Sequence, residues 1–235
     1  MEKLLAKSGP EWTSLEDHLH QVAISTVAFA SFLGISEEIA YKGAILHDIG
    51  KAHHEFQKRL KSNVKPDKVF RHEIASLFFI SLFPESEQSH LIEMVVGHHK
   101  SIKTGDGVGE KGILDLDNTE DYEDYHLGNW EEWSNKAYNL LTKFGIKTKQ
   151  ISRNQALNNL KNVVDYCRYQ VKQKGYSEWR GLLMGADHFA SALIGSTEDE
   201  LKNCFKQPNL NFYERIHPLY PLSQISAKSS KKHSL

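Results

Sequence analysis

Histidines and aspartates recur in this sequence at positions where their side chains could bind metal ions. The clearest case is the pair His47-Asp48, which follows the apolar residues 44–46 and precedes Gly50 and Lys51. A neutral imidazole and an ionised carboxylate are both metal ligands, and neighbours in sequence can bind one ion or bridge two. A lone His-Asp pair is common by chance, so this dipeptide by itself indicates a metal site only weakly.

Further candidate ligands lie in other apolar segments of the chain. A single histidine among apolar residues is more often a hydrogen-bonded core residue than a ligand. A buried aspartate without a cation, however, costs several kcal/mol. The candidates form one ordered set: His18, His47, Asp48, His72, His98, His99 and Asp187. This set exceeds what one ion with open positions needs, and it fits two ions that share a bridging carboxylate, for which Asp48 is the natural choice.

The elements that position these residues are predicted to be helices. Apolar residues recur at three- and four-residue steps from Leu15 to Leu33, after the capping-box pattern of residues 13–16 and before Gly34. Similar spacing predicts further helices over residues 36–48, 53–61, 71–83, 86–99, 129–144, 152–173, 177–194 and 197–205. The tryptophans fall at helical spacing and are predicted to be core. No segment predicts a strand, so the predicted fold class is all-α, a helical bundle with the ligands in its core.

Two charged segments could face a substrate or solvent. Basic residues cluster between Lys51 and Arg71 and include Lys58 and Arg59. This segment is either a solvated helix face or a surface that contacts a phosphate backbone. Residues 100–127 are glycine-rich and then acidic, and they lack the ligand order of a calcium-binding loop. They predict a long surface loop or lid that does not face a polyanion.

The overall composition excludes several classes of protein. The net charge is −1, so no global field indicates a nucleic-acid or membrane partner. The two cysteines, Cys167 and Cys204, are too few for a disulfide framework and fit a reducing cytoplasm. No secretory signal begins the sequence, and the longest apolar run, 77–83, is too short to span a membrane. We therefore expect a cytoplasmic protein without a membrane partner.

Five sequence segments, taken together, resemble one known family. They are Leu-Glu-Asp-His-Leu at 15–19, His-Asp-Ile-Gly-Lys-Ala-His-His-Glu-Phe-Gln at 47–57, Arg-His-Glu at 71–73, Gly-His-His at 97–99 and Gly-Ala-Asp-His-Phe-Ala-Ser at 185–191. The pattern is similar to the HD-domain superfamily of metal-dependent phosphohydrolases, and more closely to the HD nuclease domain of the type I CRISPR-associated helicase-nuclease. His-Asp-x-Gly-Lys-Ala followed by Phe-Gln is fairly specific for that branch. The segment 218–223 also looks like the connection into its helicase part.

The resemblance implies roles for individual residues. One metal ion would be held by His18, His47, Asp48 and Asp187, and the second by Asp48, His72, His98 and His99. Asp48 and Lys51 would be catalytic, with Lys51 neutralising charge on the scissile phosphate. Lys51, Lys58, Arg59 and Ser191 would bind substrate. Histidine-rich ligation favours Mn²⁺, Fe²⁺, Co²⁺ or Ni²⁺ over Mg²⁺, which prefers oxygen ligands.

The resemblance also implies a function and partners. The expected activity is a metal-dependent single-stranded DNA endonuclease, also able to degrade from an end, in antiviral CRISPR interference. Its partners would be single-stranded DNA, a helicase domain (fused or a separate subunit) and the surveillance complex. We expect a nuclease domain over 1–222 and a basic linker over 223–235. The sequence contains no GKT or GKS phosphate-binding loop, which a helicase would need. We therefore expect the chain to be a domain excised from a longer protein.

Two departures from the family pattern bear on the shape of the site. Lys100 follows the His-His pair where relatives often have a small residue, and the acidic segment after it is longer than a minimal domain needs. Two alternative functions stay open at this point. One is an HD phosphohydrolase that acts on small nucleotides. The other is a non-enzymatic docking module, which predicts that ligand positions have been lost.

Overall fold

The computed structural model describes residues 3–8, 12–62, 70–98, 125–171, 177–193 and 197–204. Within these residues the fold is predominantly helical, which confirms the predicted all-α class. The α-helices are α1 (Leu15–Leu33), α2 (Glu37–Leu46), α3 (His54–Lys61), α4 (His72–Leu77), α5 (Glu85–Gly97), α6 (Trp130–Lys143), α7 (Arg153–Tyr166), α8 (Glu178–Ala192) and α9 (Glu198–Cys204). Short 3₁₀ turns occupy Ile49–Ala52 and Ile80–Leu82, and a π-helical turn, Cys167–Val171, follows α7. Most of the predicted 100–127 loop and all of the predicted 223–235 linker lie outside the described residues.

Helix α1 begins one residue later than the capping pattern predicts. Ser14 rather than Thr13 is the N-cap, and its hydroxyl accepts a hydrogen bond from the Asp17 backbone N–H at 3.0 Å. The Asp17 carboxylate accepts a hydrogen bond from the same hydroxyl, so Asp17 takes the place predicted for Glu16. The helix ends at Gly34, whose φ of 67° is the left-handed conformation that terminates helices.

Two short strands correct the prediction that the chain has none. Strand β1 (Leu5–Lys7) pairs antiparallel with β2 (Thr13–Ser14) directly before α1. The Gln57 side chain on α3 also binds β1, since it accepts from Leu5 N at 3.0 Å and donates to Leu5 O at 2.9 Å. Strands this short cannot show the alternation of apolar and polar residues from which strands are predicted.

Helices α1, α2, α5 and α8 form the part of the bundle that carries the candidate ligands. Helix α1 packs on both α2 and α8, and α5 packs on the same two helices. Helix α4 packs mainly on the 3₁₀ turn Ile49–Ala52, and α6 also packs on that turn. The candidate ligands therefore approach one region of the core from several helices.

The single helix predicted from residue 71 to Pro84 is wrong. Helix α4 ends at Leu77, and a 3₁₀ turn follows before Pro84. The Phe78 carbonyl, which would continue the helical ladder, accepts a hydrogen bond from the Asn159 side chain on α7 at 2.7 Å. This tertiary contact stabilises the break, and the local sequence does not reveal it.

The tryptophans predicted to be core are buried on α6 and α8. Trp130 and Trp133 on α6 meet edge to face with ring centroids 5.0 Å apart, and Phe79 stacks on Trp130 at 5.4 Å. Trp179 on α8 is also buried, whereas Trp12, before β2, is half exposed. Aromatic contacts of this kind stabilise a core beyond simple burial. None of the described helices is both long and apolar enough to cross a membrane.

The two cysteines differ in their environment. Cys167 is fully buried at the start of the π-helical turn, and Cys204 is exposed at the end of α9. Burial, reinforced by the charge of Glu93, raises the pKa of the Cys167 thiol to about 12. The thiolate is the reactive form, so Cys167 should be inert at neutral pH.

We therefore expect iodoacetamide at pH 8 to alkylate Cys204 and to leave Cys167 unmodified in the folded protein. Intact mass and peptide mapping would measure this. Cys204→Ser should abolish labelling under native conditions, and Cys167 should become reactive in denaturant. Rapid native labelling of Cys167 would contradict the packing described for the π-helical turn.

Candidate metal centre

The centre is built on His47 and Asp48, where α2 ends. His47 is the C-cap of α2, and its Nδ1–H donates to the Ala44 carbonyl at 2.6 Å. This bond fixes the ring so that Nε2 lies 3.2 Å from Asp48 Oδ2. Both side chains are buried. The helix end thus aims an imidazole nitrogen and a carboxylate at the same point.

Gly50 lets this turn lie directly against α4. A Cβ at Gly50 would be 2.1 Å from the His72 carbonyl oxygen and 2.8 Å from the Ser76 backbone nitrogen. The Ser76 hydroxyl accepts from Gly50 N at 2.9 Å and lies 2.8 Å from the His47 carbonyl, to which it can donate. Close backbone approach therefore sets the position of His72 relative to Asp48.

Imidazoles approach both oxygens of the Asp48 carboxylate. His18 Nε2 lies 2.9 Å from Oδ2, the oxygen that His47 also faces. His72 Nε2 lies 3.1 Å from Oδ1, and His98 Nε2 lies 3.7 Å from it. The four histidines come from α1, α2, α4 and the end of α5. Asp48 is the shared centre of this arrangement.

Asp187 and Ser191 face the centre from α8, one helical turn apart. Asp187 Oδ1 lies 3.4 Å from His18 Nε2. The Ser191 hydroxyl donates to the same oxygen at 3.4 Å. The Asp187 carboxylate is mostly buried, and burial raises its pKa, but the charges of the neighbouring histidines His47, His18 and His98 together outweigh burial and hold that pKa below its usual value. Asp187 is therefore ionised.

Lys51 is not the surface lysine that its sequence position allows. It is 5% exposed, and its Nζ lies 2.5 Å from Asp48 Oδ2. The ammonium also lies 5.5 Å from the centroid of the Phe56 ring. A buried ammonium paired with a buried carboxylate places positive charge directly beside the ligands.

The donor atoms around Asp48 fit a divalent cation. The Nδ1–H of His47 donates to a carbonyl, so in the neutral ring Nε2 carries a lone pair that faces Asp48 Oδ2 at 3.2 Å. The lone pairs of this nitrogen and this oxygen repel each other unless a cation or a proton lies between them. His98 has the same geometry, with Nδ1 donating to Val95 O at 2.6 Å. Among the described residues, the buried His47 Nε2 and Asp48 Oδ1 accept or donate no hydrogen bond of good geometry. Imidazoles fixed in this way are typical of metal sites.

The pKa values of the buried side chains also show that positive charge stabilises the centre. Burial lowers the pKa of His47, but the charges of Asp48 and Asp187 outweigh it, and the pKa is raised. Burial raises the pKa of Asp48, but the neighbouring cations, with His47 first, hold it well below its usual range. Burial lowers the pKa of His18 to about 4, so its ring is neutral and can bind a metal ion.

The structure brings six of the seven predicted metal ligands together, and His99 lies outside the described residues. Two groups offer ligand atoms that lie within 4.8 Å of one another: His18, His47 and Asp187; and His47, Asp48 and His98. His47 belongs to both groups, whereas the resemblance implies that Asp48 is the shared ligand. His72 lies beside the second group, through its contact with Asp48 Oδ1.

The predicted substrate-binding residues lie at different distances from this centre. Lys51 and Ser191 are part of it, whereas Lys58 and Arg59 are exposed on α3. Beside α3 is a cavity of about 300 Å³ lined by Leu4, Ala52, His54, Gln57, Lys58, Lys61, Glu132 and Lys136. The structure does not bring Lys58 or Arg59 into contact with the metal ligands. They lie on a neighbouring surface.

The buried histidines His53 and His126 have structural roles instead. His53 caps α3, and its Nδ1 accepts from Glu55 N at 3.1 Å. Its ring stacks on Phe70, which stacks in turn on the His126 ring. Burial lowers the pKa of His53 to about 3, so this ring is neutral. These residues are outside both ligand groups.

Sequence reasoning missed Lys7 and Ser76. Lys7, on β1, donates a hydrogen bond to Ser191, next to the Asp187 carboxylate. Ser76 joins α4 to the turn that carries Asp48. Neither residue lies in a pattern that predicts a ligand. The one sequence feature that could have indicated Ser76 is its position four residues after His72, which places both side chains on the same face of a helix.

Comparison with known proteins identifies the family. A family model for the HD domain matches residues 15–142, more than half of the chain. The match includes His18, His47, Asp48, His72 and His98, and Asp187 follows it. No curated protein and no solved structure gives a significant match. With its ligand geometry, this match shows that the chain belongs to the HD domain family of metal-dependent phosphohydrolases.

Proposed function

We propose that the chain is a nuclease that cuts single-stranded DNA with two divalent ions bound around Asp48. The observation that carries this proposal is the distribution of imidazoles about one carboxylate. His72 and His98 face Oδ1, whereas His18 and His47 face Oδ2. A carboxylate approached on both oxygens suits the bridging position between two ions. Pairs of ions about 3.5–4 Å apart are a recurring solution for phosphodiester hydrolysis.

The donor set favours transition metals. Imidazole nitrogens outnumber carboxylates in the centre, and nitrogen ligands suit Mn²⁺, Fe²⁺, Co²⁺ or Ni²⁺ better than Mg²⁺. When bound, such ions polarise a phosphoryl group and lower the pKa of water so that hydroxide forms near neutral pH. Asp48 would be shared by both ions. His18 and Asp187 would complete one position, and His72 and His98 the other.

Residues of the chain position the substrate phosphate. The Lys51 ammonium, held by Asp48 and by the Phe56 ring, adds positive charge at the edge of the ligand cluster. Ser191 donates to Asp187 and keeps that carboxylate aimed at His18. The low exposure of the ligands excludes bulk water from the centre, which strengthens every charge–charge interaction there.

A lysine-lined cavity beside α3 supports a polymeric rather than a small substrate. Lys58, Lys61 and Lys136 line it together with the partly exposed ring of His54, and Glu132, also in the lining, pairs with Lys136 at 2.7 Å. Gln57, in the same cavity wall, donates to the Lys51 carbonyl at 2.7 Å, so this surface is joined directly to the segment that carries Lys51. Lysines with an aromatic ring suit the backbone and bases of a single strand without sequence readout.

The wider setting is also a proposal. The Lys-Ala segment after His47-Asp48 and the Phe56-Gln57 pair favour a nuclease of type I CRISPR interference in the cytoplasm. A helicase, fused or separate, would feed the displaced strand to the centre, and the surveillance complex would recruit both. Gln57, one of the residues that carry the resemblance, also has a structural role: its side chain joins β1 to the segment that contains Lys51.

The direct test is to incubate the protein with circular single-stranded DNA, with each divalent metal ion in turn and with a chelator as control. We expect Mn²⁺, Fe²⁺, Co²⁺ or Ni²⁺ to support linearisation of the circle. A parallel panel of nucleotides separates the alternative. An intact circle alongside hydrolysed nucleotides would identify a small-nucleotide phosphohydrolase. No hydrolysis of either substrate, with metal bound, would indicate a domain that needs its helicase.

The lysine cavity gives a second test of the nuclease proposal. Replacing Lys58, Lys61 and Lys136 by alanine should weaken binding of single-stranded DNA at least about tenfold in moderate salt, because phosphate contacts are lost. The slope of log K against log salt should fall by about 2. Fluorescence anisotropy with a labelled oligonucleotide would measure both quantities.

A matched variant controls for the change in net charge. Lys147, Lys149 and Lys161 are exposed and lie outside the cavity. Replacing them by alanine removes the same charge and should leave the affinity close to wild type. Equal effects of the two triple variants would show that the cavity has no special role in DNA binding.

A further inference from the structure

Lys7 reaches the metal centre from outside the helical bundle. It is the last residue of β1, which Gln57 binds through both its side-chain oxygen and its side-chain nitrogen. The Leu15 N–H, at the start of α1, also donates to the Leu4 carbonyl at 2.8 Å. These contacts fix the strand to α3 and α1 and thereby fix the direction from which Lys7 approaches.

The Lys7 ammonium lies beside Asp187. It donates to the Ser191 hydroxyl, which in turn donates to Asp187 Oδ1 at 3.4 Å. Partial burial, with the charge of Lys51 added to it, lowers the pKa of Lys7 below its usual value, although the charges of Asp187 and Asp48 act to raise it. Two ammonium groups therefore act on one centre, Lys51 beside Asp48 and Lys7 beside Asp187.

The two lysines differ in their hydrogen-bond partners. Lys51 is paired with the charged Asp48 carboxylate at 2.5 Å. Among the described residues, the Lys7 ammonium hydrogen-bonds only to the neutral Ser191 hydroxyl. An ammonium has three N–H donors, so the remaining donors of Lys7 can bind an incoming anion. A cation is no metal ligand, whereas an anionic substrate that enters the centre would meet these donors.

We propose that Lys7 binds a non-bridging oxygen of the substrate phosphate, on the Asp187 side of the centre. Ser191 orients the ammonium, and Lys51 supplies the second positive charge. The N-terminal strand is thus part of the substrate site, and its attachment through Gln57 places the ammonium. This role of Lys7 rests on the proposed function, because that function identifies the bound anion as a phosphate.

Inorganic phosphate is a suitable probe, since its binding requires no DNA cleavage. We expect Lys7→Met to weaken the affinity of the Mn²⁺-loaded protein for phosphate by about tenfold, measured by isothermal titration calorimetry. The metal content and Tm should stay at wild-type values. Lys7→Arg keeps the charge and should restore much of the affinity. Lys3→Met, which removes an exposed lysine near the same strand, is the matched control.

Kinetics with bis(4-nitrophenyl) phosphate add a readout that a structural role would not change. We expect Lys7→Met to alter KM or kcat and to weaken competitive inhibition by phosphate in parallel with the calorimetry. Unchanged phosphate affinity in Lys7→Met would overturn the proposal, as would absence of phosphate binding by the wild-type protein. Loss of bound metal in Lys7→Met would overturn it too, because Lys7 would then act by holding Asp187.

These measurements separate the proposal from the proposed nuclease function. If the wild-type protein leaves circular DNA intact but binds phosphate through Lys7, the nuclease function fails and the phosphate site stands. If it cuts the circle but Lys7→Met binds phosphate as well as Lys3→Met does, the nuclease function stands and the role of Lys7 fails.

Discussion

Asp48→Asn should abolish metal binding and reduce phosphodiester hydrolysis by at least about a thousandfold. The substitution preserves shape but removes the charge to which four imidazoles and Lys51 are oriented. Metal ions supply several kcal/mol of transition-state stabilisation, and each 1.36 kcal/mol is a factor of ten in rate. Metal content measured by mass spectrometry and initial rates with saturating Mn²⁺ would test both effects.

The same variant should also destabilise the metal-free protein. Removing one partner of a buried ion pair costs about 3–5 kcal/mol, because the remaining charge stays buried. Here that charge is the Lys51 ammonium, which is 5% exposed. Urea denaturation in chelator would measure the loss. The double variant Asp48→Asn with Lys51→Met should recover part of it, because no uncompensated ammonium then remains.

Asp165→Asn is the matched control for Asp48→Asn. Asp165 is exposed on α7, and its carboxylate lies 4.0 Å from the Arg168 guanidinium. Exposed pairs contribute little, so we expect metal content, rates and stability to match those of the wild-type protein. Full metal occupancy in Asp48→Asn would show that the bridging carboxylate is not required, and the two-ion proposal would then be untenable.

Much of the centre could be predicted because two independent patterns coincide in the sequence. His18 and Asp187 lie on apolar helix faces, where a polar side chain needs a partner. His47 and Asp48 lie at a helix end whose boundary the apolar periodicity predicts. The sequence therefore indicates which residues turn inward, and metal chemistry explains why polar residues would do so. The structure places all four close together.

The remaining features depend on contacts between segments that are far apart in the chain. Asn159 stabilises the break after α4 across 81 positions, and Lys7 meets Ser191 across 184. Strand β1 is too short to produce a periodic signal, and Gln57 holds it through a side chain rather than a ladder. Local propensity contains no information about such contacts. The grouping of the ligands likewise needs distances, which place His47 in both groups.

Gly50→Ala should have the second large effect, through the backbone rather than through a ligand. The added Cβ would be 2.1 Å from the His72 carbonyl oxygen, 2.8 Å from the Ser76 nitrogen and 2.8 Å from the Ala75 Cβ. Two of these atoms belong to the backbone, so α4 or the 3₁₀ turn has to move. Overpacking typically costs about 1–3 kcal/mol, and we expect a loss of about 3 kcal/mol because rotamer changes cannot relieve the clash.

The displacement should also separate His72 from Asp48 and so weaken metal binding at that side of the centre. Thermal unfolding should show a fall in Tm of roughly 6–12 °C, and the metal content of the folded fraction should fall with it. Gly181→Ala is the matched control, because a Cβ at this position in α8 meets no atom within 4 Å. Alanine in a helix interior is about 0.5–1 kcal/mol more favourable than glycine, so Gly181→Ala should be neutral or stabilising. If Gly50→Ala behaved like Gly181→Ala, the turn would not be set by its contact with α4, and the position of His72 would need another cause.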